Sequence, residues 1–372
     1  MNIWKNIWVI IEKDEVSSFY NKYKMKIKIL SILSILFLIS CQNEYVENYE
    51  NNTQYEASQI QIEQWLENFS VEKISEFEDI ELFYTPQTKS FPFLDILVWK
   101  IDWAQDTVYL ETYIFTEKRI FEALKKAQKR WINVKVLMEK NVYKAPFLNN
   151  TRYNDLEKAW VNVTWSNPEN YSLNHTKMLI IDNEVIVSTG NYSYSSFAYN
   201  REFFIQIRDT DFVNKLTQVF DADFEWKKFS IYDDRLILSP DMTRTKFSTL
   251  VDSAQESIKI YSQTFSDDIL EEQLSQRQAD WINVEIIFPE LSAIASNTES
   301  YNIFEDAWIS IYTMKKPKLH AKALLIDDKY LYLWSINFSY YSIEENREIW
   351  LIITNPEIIE KFLWVWEWDK KQ

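Results

Sequence analysis

Two segments of this chain repeat one another, and any fold must accommodate both. NHTKMLIIDNEVIVSTGNYSYSSFAYNREFFIQI (Asn174–Ile207) and LHAKALLIDDKYLYLWSINFSYYSIEENREIWLII (Leu319–Ile353) share His-x-Lys, four residues, Asp, a small polar turn, and Asn-Arg-Glu entering an apolar strand. His175 precedes Glu202 by 27 residues, and His320 precedes Glu348 by 28. The flanks repeat as well. DTVYLETYIFTEKRIFEALKKAQKRWINVKVLM (Asp106–Met138) reads as strand, amphipathic helix, strand, with Ile120, Phe121, Leu124 and Ala127 marking the apolar face of the helix. Phe247–Phe288 gives helix, strand, helix, strand. Strands alternating with helices twice over predict an α/β protein of two lobes, 76–230 and 231–372, with mixed sheets flanked by helices.

The repeated motif carries chemistry. The chain has only two histidines in 372 residues, and each opens one copy. Residues i and i+2 of a strand share a face, so His175 and Lys177 point together, as do His320 and Lys322. A cleft between two such strands presents two imidazoles and two ammonium groups to one centre. That suits a phosphodiester: one histidine attacks phosphorus while the other protonates the leaving oxygen. The lysines stabilise the charge on the non-bridging oxygens. Glu202 and Glu348 are candidates to orient an imidazole through its second nitrogen. Arg201 and Arg347 are either phosphate ligands or structural partners of these glutamates.

With two H-x-K-x-x-x-x-D motifs on the page, the chain resembles the phospholipase D superfamily over roughly residues 80–370. The resemblance implies a pseudo-twofold fold, a covalent phosphohistidine intermediate, and no metal or other cofactor. Carried over, it implies His175 as nucleophile, His320 as general acid, and Lys177 and Lys322 on the phosphate. Ser335 and Asn337 match the polar Gly-Ser-x-Asn element of the second copy. In the first copy, Thr189-Gly190-Asn191-Tyr192-Ser193 is out of the family order, so either Asn191 or Ser193 fills that role. Asp182 and Asp327 are expected to fix local structure.

The totals narrow the partners. A formal charge of −16 argues against nucleic-acid binding through a generally basic surface. The single cysteine excludes an intramolecular disulfide framework and any multi-cysteine metal site. That cysteine, Cys41, ends Met25–Cys41, whose lysines, short apolar run and Leu38-Ile39-Ser40-Cys41 read as a lipoprotein signal peptide with Cys41 lipidated. Residues 1–24 read as a mis-assigned start and 42–75 as a flexible acidic tether. The expectation is an exported lipoprotein, anchored on the outer side of the cytoplasmic membrane or in the periplasm. Because one chain carries both motifs, a monomer suffices.

Glycine is nearly missing: average usage gives about 26, and the chain has one, Gly190. Its 16 tryptophans instead occupy glycine-like settings. Trp131, Trp160, Trp281 and Trp308 each stand between a helical stretch and a strand, where a chain leaves a helix through a left-handed residue. Trp334 stands where the family element has glycine. The pattern matches a gene whose UGA codons are read as glycine in the cell. A genuinely Trp-rich membrane belt is the other source of such a composition.

The leading expectation is a metal-independent phosphodiesterase on phospholipid head groups, either hydrolase or transphosphatidylase. The same residues also fit an exported nuclease of that superfamily, and a non-catalytic surface protein on the same scaffold.

Overall fold

The computed structural model describes residues 69–87, 91–241, 243–335 and 337–372, which form one compact unit. The expected start artefact, the signal, Cys41 and most of the tether lie outside the described residues. The tether ends before 75, because Val71 and Ile74 are buried against the core. Apolar side chains at that spacing are too valuable to leave in water.

The first repeat runs β1 (Ile80–Thr85), α1 (Pro92–Trp103), β2 (Thr107–Thr112), α2 (Lys118–Lys129), β3 (Asn133–Met138), α3 (Asn150–Lys158), β4 (Asn162–Trp165), β5 (Lys177–Ile181), β6 (Glu184–Ser188), α4 (Tyr194–Ala198), β7 (Asn200–Ile207) and α5 (Thr210–Phe224). The second begins with β8 (Leu236–Ser239), α6 (Thr243–Ser253), β9 (Ser257–Tyr261), β10 (Phe265–Ser266), α7 (Asp268–Ala279), β11 (Asn283–Pro289), α8 (Thr298–Asp306) and β12 (Ser310–Met314). It continues through β13 (Lys318–Leu319), β14 (Ala323–Ile326), β15 (Tyr330–Trp334), β16 (Phe338–Ser339), α9 (Tyr340–Glu344), β17 (Glu348–Ile353) and α10 (Pro356–Asp369).

Each repeat builds one mixed sheet, and the two sheets match strand for strand. The orders are β1-β7-β6-β5-β2-β3-β4 and β8-β17-β15-β14-β9-β11-β12. In both, the last three strands are parallel and the others antiparallel. The parallel strands are linked through helices, as parallel pairing requires. The α2 side chains Ile120, Phe121, Leu124 and Ala127 are all buried, the face their spacing predicts. A larger cluster joins the facing sides of both sheets, including Val187, Ile205, Leu333 and Leu351, so the two lobes share a core. Among the described residues no helix is long and apolar enough to cross a membrane.

Four suspect tryptophans close helices in the left-handed region: Trp131 (φ 69°), Trp160 (62°), Trp281 (71°) and Trp308 (62°). After α2, Ile132 N–H donates to Ala127 O and Trp131 N–H to Gln128 O, and the same pair of bonds recurs after α3, α7 and α8. This is the Schellman ending, which favours glycine at the residue these tryptophans occupy. The following Ile132, Val161, Ile282 and Ile309 are buried, whereas the four indoles are 87–94% exposed. Trp226 (φ 64°) closes α5 in the same way. Trp334 ends strand β15, paired with Trp350, so the left-handed argument does not extend to it.

Candidate active site

The two histidines lie just ahead of the strands, not on them. Each sits on an extended segment stitched to the other lobe. His175 N–H donates to Arg347 O at 2.9 Å, and Arg347 N–H donates to Leu173 O at 2.9 Å. In the mirror arrangement, β13 pairs with Asn200–Arg201 at the start of β7, and His320 N–H donates to Arg201 O at 3.4 Å. The i, i+2 relation still brings each lysine back to its histidine. Lys177 and Lys322 are fully buried, and each Nζ donates to the carbonyl of its own motif histidine at 2.6 Å. Lys322 Nζ also lies 3.1 Å from His320 Nδ1.

The glutamates cross over. His175 Nδ1 is 2.9 Å from Glu348 Oε1, and His320 Nδ1 is 2.8 Å from Glu202 Oε1. Each imidazole is therefore oriented by the carboxylate of the opposite repeat. Hydroxyls hold those carboxylates in turn. Ser335 Oγ donates to Glu348 Oε2, and Thr189 Oγ1 donates to Glu202 Oε2 at 2.8 Å.

Thr189 is thus the counterpart of Ser335, and sequence reasoning missed it. Aligning Ser193 with Ser339, the residues preceding α4 and α9, sets Thr189 against Ser335 and Asn191 against Asn337. The first copy then follows the Ser-x-Asn part of the family element with threonine in the serine's place, and Ser188 stands where that element has glycine. Ser193 is removed from the site: its Oγ accepts from Ser196 N–H and caps α4. Asn191 and Asn337 each keep a buried side-chain oxygen with no hydrogen-bond partner among the described residues. Gly190 is required by contact rather than by φ, because a Cβ there would fall 2.8 Å from Glu202 Cγ.

The remaining polar residues of the motifs hold the frame. Asp182, in a left-handed turn at the far end of β5, accepts the backbone N–H groups of Gln105, Asp106 and Thr107, each at 2.9 Å. Asp327 does the same for Gln255, Glu256 and Ser257. Five strand residues, roughly 16 Å, separate Asp182 from Lys177. Neither arginine faces the phosphate position: Arg201 makes two bonds to Asp369 in α10 (2.6 and 2.8 Å), and Arg347 bonds Asp223 in α5 at 2.8 Å. These buried pairs also join opposite repeats. Tyr113, which the sequence did not single out, sets its ring edge-on to His175 with centroids 4.5 Å apart.

Burial dominates the electrostatics. It pushes Lys177 down to about 7 and Lys322 down to about 8, against the upward pull of the glutamates. It holds His175 well below the ordinary imidazole value, helped by Lys177, Lys322 and His320. His320 is also lowered by burial, but Glu202 resists the shift. Burial raises Glu348 to about 8, while at Glu202 the same penalty is outweighed by His320, Lys322 and Thr189, leaving that carboxyl below its ordinary value. The geometrically similar pairs therefore differ at the carboxyl: Glu202 is held ionised beside His320 and Lys322, whereas Glu348 is raised beside a His175 held neutral. An Nδ1–H directed at Glu348 leaves Nε2 of His175 with its lone pair, the form a nucleophile needs. Among the described residues no cluster of three or more His, Cys, Asp or Glu side chains is placed to hold a metal ion.

Comparison with known proteins agrees with this architecture. The family described as "Cardiolipin synthase, PLD-like domain" matches residues 97–224 and again residues 247–369, one match per repeat. Proteins named phospholipase D from Rickettsia conorii and Rickettsia prowazekii are 25% and 26% identical over 201 and 191 residues. Those matches cover 53% and 51% of this chain, and 93% and 86% of the relatives. Among solved structures, phosphatidylserine synthase from Haemophilus influenzae superposes with a TM-score of 0.61 at 14% identity, over 84% of this chain and 90% of that one. Polyphosphate kinase from Porphyromonas gingivalis gives 0.62 at 14%, over 78% of this chain and 50% of that one. The duplicated sheets, the paired histidines and the double family match lead to one assignment: the chain belongs to the phospholipase D superfamily.

Proposed function

We propose that the protein is a phosphodiesterase acting on phospholipid head groups through a phosphohistidine intermediate, without a metal. The observation that carries this reading is the crossed pair of imidazoles, each braced by the other repeat's glutamate beside two buried lysines. His175 Nε2 attacks phosphorus, the P–O bond to the leaving alcohol breaks, and His320 gives that oxygen its proton. His320, now neutral, takes a proton from water or an acceptor alcohol, whose oxygen displaces His175 from phosphorus. Lys177, Lys322 and, as donors, the side-chain NH2 groups of Asn191 and Asn337 are suited to the non-bridging oxygens.

Lipid as substrate is supported by the phospholipase D names of the relatives, and by the anchor expected at Cys41, which keeps the chain at a membrane surface. The exported, lipid-anchored location belongs to the same proposal. The test supplies labelled phosphatidylglycerol and phosphatidylethanolamine vesicles, and in parallel single- and double-stranded DNA, all in EDTA. Head-group release that disappears in His175→Ala supports the lipid reading. DNA cleavage without lipid turnover replaces it with the nuclease, and inactivity on every substrate with the non-catalytic scaffold.

A further inference from the structure

The two repeats superpose in topology but oppose each other in charge. From α2 through α3, residues 118–158, the chain carries eleven Lys and Arg against four Asp and Glu. The equivalent stretch from α7 through α8, residues 268–306, carries one arginine against nine acids. The internal duplicate serves as a control: the fold does not need a basic surface here, because its own second copy is acidic. The open cavity of about 580 Å³ between α2 and α3 is lined by Lys125, Lys129, Arg152 and Lys158, with Glu122 and Asp155.

The loops after the third strand differ in the same sense. Between β3 and α3, Tyr143 is 71% exposed, Phe147 78% and Leu148 42%, with Lys140 and Lys144 also exposed beside them. The equivalent loop of the second repeat, PELSAIAS (289–296), has no lysine and no aromatic residue. The first loop is fastened to the wall of the active site. Tyr143 N–H donates to Tyr113 OH at 2.7 Å, and the Tyr113 ring packs on His175. At its far end, Asn149 Nδ2 donates to the carbonyls of Tyr113 and Glu139, both at 2.8 Å.

We propose that the face made by α2, this loop and α3 seats on an anionic lipid surface. Tyr143, Phe147 and Leu148 enter the head-group region while the surrounding lysines meet lipid phosphates. Large apolar side chains projecting from a basic collar suit a membrane interface. A nucleic-acid groove accounts for the lysines but gives Leu148 nothing to stack on. The acidic second repeat is repelled by the same surface, so the face chosen is fixed, and it is the one whose loop touches Tyr113 beside His175. The inference rests on the lipid reading for the identity of the surface, but binding is measured separately from turnover.

Cys41 is the only cysteine, so the full chain carrying Cys41→Ser accepts one label at a chosen site. An environment-sensitive fluorophore at Phe147→Cys is compared with one at Ile269→Cys, which is 56% exposed on α7 of the acidic repeat. Both proteins also carry His175→Ala, so lipid is bound without being consumed. Phosphatidylglycerol vesicles should blue-shift the label at 147 and leave 269 silent. Phosphatidylcholine should shift neither label, and about 0.5 M salt should abolish the response. Lys140→Gln and Lys144→Gln should each weaken vesicle affinity about fivefold. Equal responses at 147 and 269, no response at 147, or equal response to both lipids overturns the proposal. A response at 147 to DNA but not to vesicles overturns it in favour of a nucleic-acid face. Failure of head-group release in the active protein, with the 147 response intact, leaves the docking face standing and removes only the lipid hydrolase.

Discussion

Glu348 reaches across the repeat boundary to His175, its carboxylate 2.9 Å from Nδ1 of an imidazole 173 residues earlier in the chain. Glu202 returns the relation to His320. Each histidine–glutamate pair is thus assembled from both repeats, and neither pair is complete within one repeat. Under the proposed mechanism the crossing gives the glutamates separate steps. Glu348→Gln should impair attack by His175, and Glu202→Gln protonation by His320, each lowering turnover roughly 10²- to 10⁴-fold. A diester with a p-nitrophenolate leaving group needs little protonation, so it should rescue Glu202→Gln and not Glu348→Gln. Rescue of both or of neither would remove the division of roles.

The buried lysines predict the alkaline limb. With Lys177 near 7 and Lys322 near 8, the charge available to the phosphate is lost as pH rises through that range, and kcat/KM should fall there. Stability runs the other way. Both lysines are depressed below 10.5, so between those values and 10.5 the folded protein binds fewer protons than the unfolded chain. Their contribution is fully present above 10.5 and is lost as pH falls toward 7. Lys177→Arg, which keeps its charge at any of these pH values, should move the start of the limb from about 7 to about 8, where Lys322 still titrates, in a pH–rate profile. A limb that stays in place belongs to another group.

Thr189 was found only through its contact with Glu202, and its replacement tests that role. Thr189→Ser should preserve turnover, while Thr189→Ala should lower kcat about tenfold through a loosened Glu202, with KM little changed, matching Ser335→Ala. Ser193→Ala should cost about 1 kcal/mol of stability through the lost cap and leave kcat alone. Paired kcat and melting measurements on the four variants separate the site residue from the cap.

The comparison of residues explains what the sequence made legible. His175, Lys177, His320 and Lys322 stood out because rare residues recurred in register, and the helix and strand periods around them were unbroken. The crossing was not legible, because the spacing from histidine to glutamate is the same whether the partner lies in its own repeat or in the other. Only packing of one lobe on the other decides that. Thr189 was hidden because matching serine to serine picked Ser193, whose hydroxyl answers to a helix end. Tyr113 carried no signal, since the equivalent position in the second repeat is Gln263 and no duplication marks it.

The tryptophans give the clearest test of what the gene encodes. A non-glycine residue in the left-handed region costs about 1–2 kcal/mol, and Trp131, Trp160, Trp281 and Trp308 recover almost nothing from side chains that are 87–94% exposed. Glycine at each should raise Tm by roughly 2 °C or more without changing activity. Trp226 should gain less, because its indole N–H donates to Trp165 O at 2.9 Å. Trp350 is 1% exposed in β17 and extended, so Trp350→Gly should instead destabilise by about 3–5 kcal/mol. If the cell reads these codons as glycine, peptides spanning 131, 160, 281 and 308 from the native protein will be lighter, at each such position, by the mass of an indolylmethyl group less one hydrogen. Full-mass tryptophan peptides from the native source, or UGG at those codons, would show that the protein carries the strain in life.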